Sequence, residues 1–197
     1  METRTASVKR DTKETQIKMQ LKLDGTGKVK TLSTGIPFFD HMFTLFAVHG
    51  FFDLLVEANG DIEVDYHHTV EDLGLVMGEA IQEALGGHKG IRRFGHAITP
   101  MDEALSTVTV DLSNRPYLVF NVPSTLMQSG NSLTCLSKEF FRALATKAGM
   151  NLHINVSYGE NEHHIIESIF KSLGRALHDA TRLDSRVKEV RSTKGTI

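Results

Sequence analysis

Two short stretches of this sequence carry the same chemistry. One reads Asp65-Tyr66-His67-His68-Thr69-Val70-Glu71, and 96 residues later the chain reads Asn161-Glu162-His163-His164-Ile165-Ile166-Glu167. A single His-His-x-x-Glu near a helix start is more often a solvated accident, because imidazolium gains nothing beside the positive end of a helix. Two copies in register, each with its glutamate, favour a ligand set. On a helix, His67 and Glu71 lie one above the other and can share one metal ion, as can His163 and Glu167. The neighbouring rings of His68 and His164 are turned away by about 100°, so each pair suits two ions better than one. One such helix supplies about three ligands, too few to close coordination around two ions. Two helices meeting head-on would supply four histidines and two glutamates.

The elements that must hold these groups are legible around them. Under the same offset Gly78, Ala80 and Ala84 fall on Gly174, Ala176 and Ala180, and Val70, Leu73, Met77 and Ile81 on Ile166, Ile169, Leu173 and Leu177. This spacing predicts two equivalent amphipathic helices, over about 66–85 and 162–181, with Asp65 and Asn161 as N-caps. Upstream, residues 14–24 alternate as a strand, with 28–33 as an expected hairpin partner across Asp24-Gly25-Thr26-Gly27. Pro37 opens a helix to about His49, with Phe38, Met42, Leu45 and Phe46 on its inner face and His41 within it. Residues 51–58 read as a strand and Ile62 and Val64 as a short edge strand. The second half repeats the plan: strands at 103–112 and 116–122, expected as a hairpin, a helix over 133–147, and a strand over 151–158. The fold class is therefore α+β, an internal duplication of two strand-strand-helix-strand-helix halves, each a sheet with helices on one face. The halves divide as 1–95 and 96–197, pack as one unit, and end in a basic, polar tail.

The composition narrows the function. The 197 residues are 40% hydrophobic and 23% charged, an ordinary globular balance. A net charge of −2 makes no case for nucleic acid, and no run is apolar enough for a membrane span. The N-terminus lacks the apolar core of a signal peptide. One cysteine, Cys135, rules out an intrachain disulfide framework and fits a cytoplasmic setting. The ten histidines are the outlier.

The combination PFFDHM, DYHHTVEDLG, NRPYL, NEHHIIESIFK and the terminal STKG closely resembles the imidazoleglycerol-phosphate dehydratase family of histidine biosynthesis, from Lys13 to Gly195. That resemblance implies a duplicated α+β fold and dehydration of imidazole glycerol phosphate to imidazole acetol phosphate. It implies two manganese ions per active site and a homo-oligomer of 24 subunits with sites between chains. Ligand type leaves zinc and iron open. The proton removed is not alpha to a carbonyl, so an imidazolate and a diazafulvene-like intermediate are implied, with the metals as Lewis acid and template.

By resemblance the metal ligands are His41, His67, His68, Glu71, His163, His164 and Glu167, with His67 and His163 counted among the catalytic residues. Glu139 stands where many members carry a histidine. It is either a substitute carboxylate ligand or a solvated helix glutamate. Glu14, by position alone a surface charge, takes the place of the carboxylate that handles the substrate proton. Arg93, Arg115, Lys171, Ser192 and Lys194 match phosphate-holding positions, chemistry that suits guanidinium, ammonium and hydroxyl donors. Asp40, Asp72 and Asp102 are candidates for orienting ligands. His49 and His153 are read as packing or hydrogen-bonding residues, and His88, His96 and His178 as loop or surface residues. Two rival readings are a different metal-dependent lyase or hydrolase on the same scaffold, and a metal-assembled shell without turnover. The first should not need Arg93, Arg115 and the STK tail together.

Overall fold

A computed structural model describes residues 3–123 and 132–197. The first half runs β1 (Thr5–Asp11), β2 (Thr15–Lys22), β3 (Val29–Ser33), α1 (Pro37–Gly50), β4 (Asp53–Gly60), α2 (His67–Leu85). The second runs β5 (Phe94–Met101), β6 (Ala104–Asp111), β7 (Tyr117–Asn121), α3 (Leu133–Lys147), β8 (Asn151–Tyr158), α4 (Glu162–Thr181). The α+β class and the repeated strand-strand-helix-strand-helix plan are present, and each half opens with one further strand, β1 or β5. The sheets have the orders β1-β2-β4-β3 and β5-β6-β8-β7.

The expected hairpins are not the ones formed. β2 pairs antiparallel with β1, across the tight turn at Thr12, and with β4. β3 lies parallel to β4, and β7 parallel to β8. The intervening helices α1 and α3 are the reason: a helical crossover returns the chain in its starting direction, which makes the flanking strands parallel. β1 gave little signal because only Ala6 and Val8 point inward from it. Residues 62–64 form a turn closed by Val64 N–H to the Asp61 carbonyl, not an edge strand.

Helices α1 and α2 cover the first sheet and α3 and α4 the second, and the halves meet helix to helix, α2 on α3 and α1 on α4. Phe39, Phe43, Phe140, Phe141 and Phe170 interlock at this junction, mostly edge-on or tilted, with Phe140 and Phe170 stacked. Thus α1 turns Phe39, Met42, Phe43 and Phe46 inward, while Phe38 and Leu45 are only half-buried.

The duplicated glycines set how closely the helices approach. A Cβ on Gly174 would lie 2.5 Å from the Phe46 carbonyl oxygen, and one on Gly78 would lie 2.8 Å from the Ala148 nitrogen. These equivalent contacts show that α1 and α3 correspond with an offset of 98, although α2 and α4 keep 96. The paired strands Thr5/Phe94 and Thr15/Ala104 are 89 apart.

Candidate metal centre and active site

The site follows from that helix packing. Asn161 caps α4, its side-chain oxygen accepting from the N–H groups of His163 and His164. In α2 the cap position is Tyr66 and not Asp65, but the Asp65 carboxylate still accepts the His67 N–H at 2.7 Å. Each histidine pair therefore starts a helix, and its two rings stand nearly perpendicular, at 84° for His67/His68 and 87° for His163/His164.

His41, from α1 of the first half, meets the second-half set. Its Nε2 lies 3.3 Å from Glu167 Oε2, and His163 Nε2 lies 3.2 Å from the same oxygen. The three ligand atoms fall within 4.8 Å of one another. Donors on opposite sides of an ion with bonds of about 2.1 Å are about 4.2 Å apart, so this set fits a divalent cation with small adjustments. Phe38 packs edge-on against the His163 ring. Burial raises the Glu167 carboxyl, but the Lys171 ammonium 2.6 Å from its other oxygen, together with His41, outweighs this and keeps it below its ordinary value. The carboxylate is thus ionised, with one oxygen held by Lys171 and one facing the imidazoles.

In the first-half set, His67 Nε2 lies 3.6 Å from Glu71 Oε2. Glu139 occupies the position equivalent to His41. It forms no hydrogen bond or ion pair with His67. The Arg142 guanidinium pairs with Glu139 and lies 3.6 Å from Glu71 Oε1, bridging the two carboxylates.

The outward rings have carboxylate partners of their own. His68 Nδ1 is 2.9 Å from Asp61, and His164 Nδ1 is 2.7 Å from Glu103. Both imidazoles titrate above their ordinary value, chiefly through these hydrogen bonds, and the Glu103 carboxyl is lowered to about 2. A carboxylate on Nδ1 fixes the ring and leaves Nε2 for a metal. Neither Asp61 nor Glu103 was singled out in the sequence. Glu103 could have been: the strand offset of 89 carries Glu14 onto it. Glu14 itself lies 3.9 Å from His68 Nδ1.

Of the aspartates considered, Asp102 lies 4.0 Å from His164, Asp40 accepts from Thr34, and Asp72 from Thr15. Burial lowers His49 and His178, the latter packed on Phe51 and Phe52.

The expected phosphate residues do not gather at one place. Lys171 sits beside Glu167, and Arg115 is exposed before β7. Arg93 donates its backbone N–H to the Ala180 carbonyl, thirteen residues along α4 from Glu167. At about 1.5 Å per residue that is roughly 20 Å. Ser192 and Lys194 lie in a turn just past Arg191, whose carbonyl takes a hydrogen bond from Arg93.

The family model for imidazoleglycerol-phosphate dehydratase matches residues 34–177. The chain belongs to the imidazoleglycerol-phosphate dehydratase family. A relative of that name from Desulfosudis oleivorans is 60% identical over 194 residues, 98% of this chain and 99% of its own length. Another, from Trichlorobacter lovleyi, is 56% identical with the same coverage. The solved imidazoleglycerol-phosphate dehydratase structure from Pyrococcus furiosus, in complex with (S)-C348, superposes with a TM-score of 0.83 at 40% identity, covering 96% of this chain and all of that one. The Staphylococcus aureus structure gives 0.79 at 37% identity, covering 91% and 99%. Among the described residues no helix is long and apolar enough to cross a membrane.

Proposed function

We propose that this chain dehydrates D-erythro-imidazole glycerol phosphate to imidazole acetol phosphate and water in histidine biosynthesis, as a metal-dependent hydro-lyase in the cytoplasm. The convergence of His41, His163 and Glu167 on one small volume, inside a fold shared with the family, carries this reading. His41, His163 and Glu167 would hold one divalent cation, and His67 and Glu71 would contribute to a second. His68 and His164, pinned through Nδ1, would complete coordination with Nε2. All-nitrogen-and-oxygen ligands suit manganese, two ions per active site, with zinc or iron acceptable to the same donors. The metals, when bound, would supply Lewis acidity and a template for the substrate ring, favouring departure of the hydroxyl on the carbon attached to it.

The protein's own groups do the rest. Glu14, on the turn before β2, moves the proton on the next carbon along the chain, the one that becomes the ketone, while the hydroxyl leaves from the carbon attached to the ring. Lys171, Arg93, Arg115, Ser192 and Lys194 bind the phosphate. Two observations support sites between chains in a homo-oligomer of 24 subunits. The perpendicular rings of each histidine pair face different volumes, and Arg93 stands roughly 20 Å along α4 from Glu167, too far for one small substrate to bridge.

The test combines protein, manganese and imidazole glycerol phosphate, with the acetol product read as enolate absorbance after alkali. Turnover that chelator abolishes is expected. Manganese uptake without any product would instead point to a metal-assembled shell. Glu167→Gln should weaken manganese binding and turnover together, and unchanged binding would remove Glu167 from the ligand set.

A further inference from the structure

Arg93 is held more tightly than a surface cation needs to be. It is 9% exposed, and its backbone sits at φ +72°, a left-handed conformation that costs a residue with a side chain. The backbone is fixed from both sides: its N–H bonds to the Ala180 carbonyl at the end of α4, and its carbonyl accepts the Leu112 N–H just after β6. The guanidinium makes a two-pronged pair with Asp111, Nε at 2.7 Å and Nη2 at 3.0 Å, and Nη1 donates to the Arg191 carbonyl at 2.7 Å. Three of its five N–H groups are thereby used, and two remain for a ligand.

The Arg191 carbonyl belongs to the C-terminal strap. This strap returns along residues 89–91 through isolated bridges, Ile91 with Leu183 and Lys89 with Val190. Immediately beyond Arg191, the Ser192 hydroxyl accepts the Lys194 N–H, so both side chains sit on one turn. Asp111 is therefore joined, through one guanidinium, to the segment that carries Ser192 and Lys194.

We infer that Asp111 is a positioning residue for the phosphate end of the site: it locks the Arg93 fork and, through Arg93, fixes the strap that presents Ser192 and Lys194 to the phosphate. This rests on the phosphate-binding reading of those three residues. Asp111 touches no reacting atom and works only through Arg93. A carboxylate beside a phosphate-binding arginine lowers the local positive charge, so its presence is justified by geometry and not by Coulomb attraction to the anion.

The experiment uses the full-length, manganese-loaded protein and three variants, Asp111→Ala, Asp111→Asn and Asp111→Glu. Hydrogen exchange over residues 183–197 is read alongside KM, kcat and manganese stoichiometry. Asp111→Ala should raise KM at least tenfold with kcat and manganese content within twofold of the parent, and should speed exchange in the strap. Asp111→Glu should restore both in part. A KM that stays level or falls in Asp111→Ala or Asp111→Asn would overturn the inference, since it would show the carboxylate acting only as an opposing charge. Unchanged strap exchange in Asp111→Ala would overturn the coupling to the tail. Failure of the underlying reading is recognised separately, because the parent protein itself would then give no product. The exchange measurement decides the Asp111–strap link in either event.

Discussion

Replacing Gly174 by alanine should damage both the fold and one metal set, and by different amounts from the same change at its twin, Gly78. The new methyl would sit 2.5 Å from the Phe46 carbonyl oxygen and 3.1 Å from the Gly50 nitrogen, both backbone atoms of α1 that no rotamer change can move. Ordinary contact begins near 3.4 Å, so α1 must retreat by up to about 0.9 Å. Overpacking of this kind costs about 3 kcal/mol at the upper end. Alanine recovers about 1 kcal/mol of helix propensity. The net loss is then about 2 kcal/mol, or a fall in Tm of about 4–8 °C for a chain of this size. Gly78→Ala meets Ala148 and Lys147 at 2.8 Å and Leu144 at 2.9 Å, a milder clash, and should lose about 1 kcal/mol. The functional difference is sharper. His41 rides on α1 and Glu167 on α4, so the retreat opens their 3.3 Å contact two helical turns from the substitution. Free manganese measured by electron paramagnetic resonance should report about tenfold weaker binding in Gly174→Ala at the set containing Glu167, roughly 1.4 kcal/mol. Gly78→Ala should leave that set intact. Equal stability in Gly174→Ala and the parent, with equal manganese binding, would refute the claim that glycine-limited helix contact sets the ligand geometry.

Manganese binding should weaken as pH falls through a range that begins above about 6.5, because His68 and His164 hold their protons more firmly than ordinary histidines, through Asp61 and Glu103. Asp61→Asn and Glu103→Gln should move that onset downward in a manganese titration followed across pH. The metal-free fold has the opposite sign: these pairs stabilise it below the unfolded histidine pKa and cease to contribute as pH rises through the raised values, which thermal melts with chelator can follow. Asp72→Ala removes the acceptor of the buried Thr15 hydroxyl at 2.5 Å and the partner of Arg10 at 2.9 Å. It should cost about 2–3 kcal/mol in chemical denaturation. Turnover should also fall, because Thr12 and Thr15 hold the turn whose Glu14 N–H bonds to the Thr12 hydroxyl at 3.1 Å.

The sequence alone determined the features that depend on local spacing. A period of 3.6 placed α2 and α4, put His67 over Glu71 and His163 over Glu167, and turned His68 and His164 aside, because helix geometry is fixed by neighbours a few residues away. The repeat at 96 residues revealed the duplication, since both copies must bury the same apolar stripe. Pairing between strands is not local, and spacing alone points to the wrong hairpins: β3 and β7 join their sheets in parallel only because a helix intervenes. The changing offset, 89 in β1/β5 and β2/β6, 98 across α1 and α3 and 96 in α2 and α4, hid the kinship of Glu14 with Glu103. Tertiary structure alone brought His41 to Glu167 across 126 residues, through a helix contact that only glycine permits. It also separated Arg93 from Glu167, tied Arg93 to Asp111 and the strap, and set Arg142 between Glu71 and Glu139. A side chain's chemistry is written at its own position, but its partners are chosen by how distant helices and strands come to rest against one another.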